Sequence, residues 1–115
     1  MPRATLTRTN SPGPNPTAGV AVTMTAANVA DKNEFALTGR EVVIIHNTGA
    51  STRTYTITSV PDPFGRTGDI TAQNIAAGAI HTIGPFGLLG WQQTGGTLYL
   101  EASHAEVKIG VIALP

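Results

Sequence analysis

Apolar residues recur at every second position through most of this 115-residue chain, and many of them are β-branched. A period of two is that of a β-strand, whose successive side chains point to opposite faces. Gly, Asn, Asp and Pro interrupt the pattern at short intervals, and no stretch has helical periodicity. The sequence therefore predicts an all-β fold: an antiparallel β-sandwich of jelly-roll-like form, or a barrel, with seven to eight strands.

Two turns define the clearest strands. The run EVVIIHN, residues 41–47, has four consecutive aliphatic residues, and the turn NTGAS separates it from RTYTITSV. Asn and Gly tolerate the positive φ of tight turns, so this unit is predicted to be a hairpin. A second hairpin is predicted from TLYLEA and AEVKIGVIALP, with Leu98 and Leu100 facing Val107, Ile109 and Val111.

The first nineteen residues differ in composition from the rest. They contain four prolines, two glycines and Leu6 as their only large aliphatic residue. Such a composition cannot build a core of its own, and free termini of this kind fray. We therefore expect an extended arm at 1–19 and a single β domain at 20–115, with the arm ordered by a neighbouring subunit. Its predicted contact residues are Arg3, Leu6, Arg8, Pro12 and Pro14.

The charge content argues against two classes of partner. Only 12% of the residues are charged, the formal net charge is zero, and the basic residues are scattered. No basic face is available for phosphates or anionic lipid, so we expect neither direct nucleic-acid binding nor membrane binding. No apolar run approaches the roughly 20 residues of a membrane span, and a secretory leader is not evident. We expect the protein to be synthesised in the cytoplasm of the host. We also expect much of its surface to be covered by other subunits in an assembly.

The chain carries few groups suited to catalysis. It has no cysteine, its three histidines, His46, His81 and His104, are well separated, and no G-x-S-x-G or phosphate-binding loop occurs. Asp62 and Asp69 flank a glycine-containing loop, but their spacing does not match an EF-hand. We therefore expect no enzyme activity, no catalytic residues, no cofactor and no metal site.

Aromatic residues predict one contact surface. The segment PDPFGRTGD, residues 61–69, contains prolines and glycines that prevent a central strand, so it is predicted to be a surface loop carrying Phe64 and Arg66. Phe64 has only polar, Gly or Pro neighbours, and both Phe64 and Arg66 are predicted to contact the capsid or another subunit. Trp91 is predicted to pack at the end of the core.

Several segments of the body are similar to one known group of proteins. They are TGREVVIIHNTGASTRTYTITSV, GRTGDI, IAAGAIHTIGPF and GWQQTGGTLYLEASHAEVKIGVIALP. This pattern, from about Thr38 to Pro115, resembles the head decoration, or cement, proteins of tailed-bacteriophage capsids. The resemblance implies a β-sandwich or β-tulip fold on the outer capsid surface of the virion, commonly as a trimer.

The expected function is accordingly structural. We expect a virion protein that stabilises the capsid by bridging neighbouring major capsid subunits and that self-associates as a homotrimer. Two alternatives stay open: a structural protein of the phage tail or the head–tail joint, and a carbohydrate-binding β-sandwich module that uses Trp91, Tyr55 and Tyr99 as stacking platforms.

Overall fold

The computed structural model describes residues 3–12, 18–61 and 63–114, and the regular structure in them is entirely β. Period-two alternation of buried and half-buried residues is clearest at residues 41–47, which form one strand with the predicted bounds. The strands are β1 (Ala4–Thr5), β2 (Arg8–Asn10), β3 (Thr25–Ala26), β4 (Asn33–Ala36), β5 (Glu41–Asn47), β6 (Arg53–Thr58), β7 (Ile70–Ile75), β8 (Ile80–Ile83), β9 (Thr97–Ala102) and β10 (Val107–Ala113).

The described residues contain ten strands rather than the predicted seven to eight, because the segments before residue 41 add short edge strands. These strands form two five-stranded sheets around one apolar core. The first sheet has the order β1-β4-β9-β6-β7, and the second has the order β2-β10-β5-β8, with β3 pairing with β10. The all-β prediction is confirmed, and the arrangement is compatible with a β-sandwich. Both sheets are mixed rather than purely antiparallel, because β1 is parallel to β4 and β2 is parallel to β10. Within the described residues, no helix has the length and apolar character needed to cross a bilayer.

The two predicted hairpins are wrong in their pairing. β5 and β6 lie in different sheets, and so do β9 and β10. The connecting turns therefore carry the chain from one sheet to the other, and the aliphatic residues of β9 and β10 meet across the core instead of along a shared ladder. Tight-turn residues report that the chain reverses, but they do not report which strand each flanking strand pairs with.

Asn47 shows how the first of these sheet-crossing turns is fixed. Its buried side-chain amide donates to the carbonyl oxygens of Ser51 (2.8 Å) and Ile75 (3.0 Å), and its Oδ1 accepts from the Gly49 backbone (3.0 Å). The turn is thus tied both to itself and to β7 of the opposite sheet.

β6 and β7 are the only consecutive strands among the described residues that pair with each other. Their connection is long, running from Ser59 to Asp69, and it contains the predicted surface loop. Its prolines and glycines explain why β6 ends at Thr58 and β7 begins only at Ile70. The fold therefore presents this loop at one end of a hairpin.

The N-terminal segment adds an edge strand to each sheet of its own chain. The Ala4 backbone donates to the Lys32 carbonyl (2.9 Å), the Leu6 backbone donates to the Glu34 carbonyl (2.8 Å), and Ser11 donates to Ala113 (2.8 Å). Leu6 is 3% exposed and belongs to the core cluster. The segment was expected to be ordered by a neighbouring subunit, but Leu6 is buried against its own chain, where the two sheets leave a site for it.

Both arginines of this segment also reach the chain's own body. Arg3 lies over the ring of Tyr99, with 4.0 Å between the guanidinium carbon and the ring centroid, and donates to the Asn33 carbonyl (3.2 Å). Arg8 forms an ion pair with Glu41, with 2.8 Å between nitrogen and oxygen. Residues 3–11 thus need no second molecule to hold their position.

Candidate functional site

Two loops meet at one end of the molecule and form the surface that we call the loop face: residues 59–69 and residues 84–91. The first loop joins β6 to β7, and the second precedes β9. The Val60 backbone donates to the Gly90 carbonyl across the two loops (2.7 Å). This hydrogen bond fixes the loops relative to each other.

A small polar network closes the base of the first loop. Asp69 Oδ1 accepts hydrogen bonds from the backbone nitrogen (2.7 Å) and the hydroxyl (2.6 Å) of Ser59, and the Ser59 hydroxyl accepts from the Gly68 backbone (2.9 Å). The hydrogen bonds from Ser59 lower the pKa of Asp69, because they favour its charged form. The Asp69 carboxylate, at one end of the loop, therefore holds Ser59 at the other end.

Phe64 stands at the exposed part of this loop. Its side chain is 82% exposed, the largest value among the large hydrophobic residues of the described chain. The Arg66 guanidinium lies over the Phe64 ring, with 5.2 Å between the guanidinium carbon and the ring centroid. A cation over an aromatic face is attracted by the ring quadrupole, so the pair orients an apolar and a cationic group on the same surface.

The second loop has exposed leucines at its tip and packed aromatic residues beneath them. Phe86 is buried, and its ring contacts Trp91 edge to face with centroids 5.0 Å apart. The Gln92 backbone donates to the Leu88 carbonyl (3.0 Å), which closes a turn. Leu88 and Leu89 project from that turn, and Leu89 is 72% exposed. Trp91 is half-buried and packs against the core, near its predicted place.

A cleft of about 350 Å³ lies between the two loops. Leu89 and Trp91 form part of its apolar lining, and Arg66 is its charged lining residue. The remaining lining residues are small or uncharged: Ser59, Val60, Thr67, Gly68 and Gly90. The loop face thus combines exposed apolar groups, one cation and a concave surface.

Removing the carboxylate at the loop base should loosen the first loop. In Asp69→Ala, the Ser59 donors lose their acceptor, so trypsin should cut after Arg66 about tenfold faster. Mass spectrometry of timed digests measures this rate. Cleavage after Arg53, which lies within β6, is the internal control. Equal acceleration at both arginines would mean that the whole domain is destabilised and that Asp69 has no local role.

The predicted contact residues fall into separate groups. Phe64 and Arg66 come together on the loop face, whereas Arg3, Leu6 and Arg8 contact their own body at other places. Pro12 is exposed and lines a small cleft with Val20, Val22 and Ile112. Pro14 lies outside the described residues.

Leu88 and Leu89 are the site residues that sequence reasoning missed. In the segment PFGLLGW, the sequence pattern predicts only that Trp91 packs at the end of the core. Its signal was available, since two adjacent leucines flanked by glycines outside any alternating pattern cannot both enter the core from a tight turn.

The histidines considered as metal ligands or catalytic groups do not lie together, and two of them have hydrogen-bond partners within the chain. His81 Nδ1 is 3.0 Å from the Tyr55 hydroxyl, and His104 Nδ1 accepts from the Glu106 backbone (3.0 Å). No group of three or more potential metal ligands occurs in the part of the chain that the structure describes, from which Asp62 is excluded.

The aromatic residues do not form the common platform that carbohydrate stacking would need. Tyr55 is buried, and burial raises the pKa of its hydroxyl. Arg3 covers one face of the Tyr99 ring. Of the three aromatic residues, Trp91 is the one that lies on the loop face. The three-aromatic surface considered for sugar binding is therefore not present in the described structure.

Comparison with known proteins does not assign this fold or its loop face. No protein-family model, curated protein or solved structure matches the chain.

Proposed function

We propose that this protein is a structural component of a tailed-bacteriophage virion and that its loop face binds the outer surface of the capsid. The observation that carries the proposal is the exposure of Phe64 on a loop held at its base by Asp69. Burying a phenylalanine side chain stabilises a protein by about 1.5–3 kcal/mol. That gain stays unrealised in the isolated chain and becomes available when a partner covers the ring.

The surrounding residues support a binding role. Leu88 and Leu89 are exposed on the second loop, and Leu89 lines the cleft together with Arg66. Exposed apolar groups around a cleft mark interaction sites. Aromatic and arginine side chains are the ones enriched among residues that dominate interface energies. Hydrogen bonds that fix the loops before binding reduce the entropy lost on docking. The likeness of the sequence pattern to capsid decoration proteins supplies the identity of the partner, the major capsid protein.

Self-association would strengthen such binding. In a homotrimer, three loop faces would engage neighbouring capsid subunits together, and linked weak contacts give an overall affinity well above that of each one. A jelly-roll-like or β-tulip form of the two-sheet body fits this proposal. The β domains of the three subunits would then connect the neighbouring capsid subunits, and the N-terminal segment would not have to leave its own domain.

The loop face is a better contact surface than the N-terminal segment. Strand addition by residues 4–9 to a neighbour would first require Leu6 to leave the core and Arg8 to leave Glu41. The loop face is already exposed, so binding through it requires no such rearrangement.

Two substitutions on the loop face test the proposal. Phe64→Ser and Leu89→Ser should each weaken binding to capsids assembled from the major capsid protein by about tenfold or more, the usual range for truncating an interface anchor. Co-sedimentation with such capsids measures the affinity. Ile80→Ser is the matched control, because Ile80 is 63% exposed on β8, outside the loop face.

The outcomes separate clearly. Selective loss of binding in the two loop variants supports the proposal. Unchanged binding in both, with Ile80→Ser reducing it instead, would place the contact on the β8 edge and overturn the assignment of the loop face.

A further inference from the structure

We propose that β8, the edge strand of the second sheet, pairs with β8 of a second copy of this chain in an antiparallel ladder around a two-fold axis. This inference goes beyond the proposed function, because it concerns a surface other than the loop face. An edge strand can bind another chain through its backbone N–H and C=O groups. The four edges of the two sheets differ in how far they permit such pairing.

Three of the four edges carry features that limit pairing. At one edge of each sheet, the N-terminal segment supplies a strand of only two or three residues, β1 or β2. β7, the other edge of the first sheet, is irregular, because its register against β6 shifts and Ala72 has a positive φ of 47°. The Gln73 side chain also donates to the Asn74 carbonyl in β7 (3.3 Å). Short strands and bulges protect sheet edges from unwanted partners.

β8 has none of these features. Its residues, Ile80–Ile83, include no charge and no proline, and they pair with β5 without a shift in register. In the part of the chain that the structure describes, β8 has a strand neighbour on one side only. The Asn47 backbone donates to the Ala79 carbonyl (3.1 Å), so every second residue from Ala79 onward directs its backbone groups to β5. The backbone groups of Ile80 and Thr82 therefore point out of the sheet.

A second copy matches this edge in one register. When Ile80 of each strand lies opposite Thr82 of the other, every outward N–H and C=O group of these residues has a partner. The Ile80 side chain, 63% exposed in the single chain, then packs against Thr82 of the other copy. His81 lies at the axis on the inner face, where the Tyr55 hydroxyl of its own chain is 3.0 Å from its ring nitrogen. The pairing therefore buries the exposed isoleucine without moving the core.

Charge favours a second copy as the occupant. The formal net charge of the chain is zero, so two copies approach each other without net repulsion. Like charges directly opposite each other destabilise a ladder, and the uncharged side chains of Ile80 and Thr82 bring none together. The edge also offers no charge that a basic or acidic partner segment would recognise.

Antiparallel pairing turns the second copy around. β8 leads directly into the second loop of the loop face at Gly84, so the two loop faces of a pair lie at opposite ends. One capsid surface cannot contact both of them. The pairing is therefore separate from capsid binding and from the threefold association considered above.

Hydrogen exchange of the full chain tests the pairing without any substitution. We expect the Ile80 and Thr82 amides to exchange at least about twofold more slowly at about 1 mM than at about 10 µM, because pairing protects them. Asn74 is the internal control on the β7 edge. Its amide faces outward, since the carbonyl of Thr54 opposite it accepts from Ser103 (2.9 Å). The exchange of the Asn74 amide should not depend on concentration.

Equal exchange rates of the Ile80 and Thr82 amides at both concentrations would overturn the inference. Slowing that appears only when capsids are added would assign the β8 edge to the capsid protein and would also overturn it. No capsid is present in the concentration series, so its failure leaves the capsid proposal intact. Normal capsid binding by the loop-face variants would remove only the capsid proposal.

Two proline variants identify the edge. Thr82→Pro removes an outward N–H group from β8, and Asn74→Pro does the same on β7, where proline is tolerated because the N–H faces solvent. An interface this small should be weak, with a dissociation constant of about 0.1–1 mM. In sedimentation equilibrium at about 1 mM, the native chain and Asn74→Pro should therefore have at least about 1.5 times the average mass of Thr82→Pro. Equal masses of the native chain and Thr82→Pro, or an equal loss in Asn74→Pro, would contradict pairing through β8. If Thr82→Pro fails to fold, the exchange measurement decides.

Discussion

Replacing Leu6 by alanine should destabilise the protein by about 2–5 kcal/mol, the range for truncating a buried leucine. Leu6 lies between the two edge strands of the N-terminal segment and is part of the core cluster. Its truncation leaves a cavity and weakens the docking of β1 and β2 at once. Because whole domains are stable by only about 5–15 kcal/mol, this loss should be evident as a lower urea midpoint monitored by Trp91 fluorescence.

Leu89→Ala is the matched control for this substitution. The same atoms are removed from a side chain that is 72% exposed, so the free energy of unfolding should change by no more than about 0.5 kcal/mol. Equal, small effects of both substitutions would show that the N-terminal segment does not pack on its own body in solution. The arm would then be free to seek a neighbouring subunit.

Removing the Glu41 carboxylate should destabilise the protein nearly as much as Leu6→Ala does. The free energy of unfolding should fall by about 2–4 kcal/mol in Glu41→Ala. Glu41 is fully buried and accepts hydrogen bonds from the Thr38 backbone (2.7 Å), the Thr38 hydroxyl (2.7 Å) and Arg8 (2.8 Å). Without the carboxylate, these donors lose their acceptor. Arg8 is partly exposed and can turn to water, which keeps the expected loss below that for a wholly buried pair.

Glu101→Ala is the control for Glu41→Ala. Glu101 pairs with Lys32 at 3.5 Å, and both side chains are partly exposed. Surface pairs of this kind contribute about 0–1 kcal/mol. Urea unfolding of the two variants therefore compares a buried and an exposed carboxylate, and a larger loss in Glu101→Ala would contradict the role assigned to Glu41.

The pH dependence of stability provides a second test of Glu41. Burial alone would raise the pKa of Glu41, but the hydrogen bonds from Thr38, Arg8 and Arg40 outweigh it and hold the pKa below the ordinary value of 4.5. Its stabilising contribution is therefore present above pH 4.5 and is lost as the pH falls through the lower pKa of the folded state. Below about pH 5, the free energy of unfolding should fall less steeply in Glu41→Gln than in the native protein. Parallel curves would show that Glu41 has the same pKa in both states.

Part of the loop face could be predicted from the sequence. The prolines and glycines of residues 61–68 cannot continue a ladder, and Phe64 has no apolar neighbours in the chain, so its exposure follows from local composition. The leucines of the second loop could not be assigned in this way. Leu89 comes beside Arg66 in the cleft only because β7 returns beside β6 and the segment before β9 crosses the same end of the body.

Sequence alone determined that the chain is all-β, since period-two alternation of β-branched residues is incompatible with a helical face and depends only on local geometry. Strand pairing and the attachment of the N-terminal segment were decided by the tertiary structure. The same turn residues allow a hairpin or a passage between sheets, and the same proline-rich composition allows a free arm or a docked edge strand. Burial of Leu6 and the ion pair between Arg8 and Glu41 select the docked form, because these contacts join residues that are distant in the chain and have no local signature.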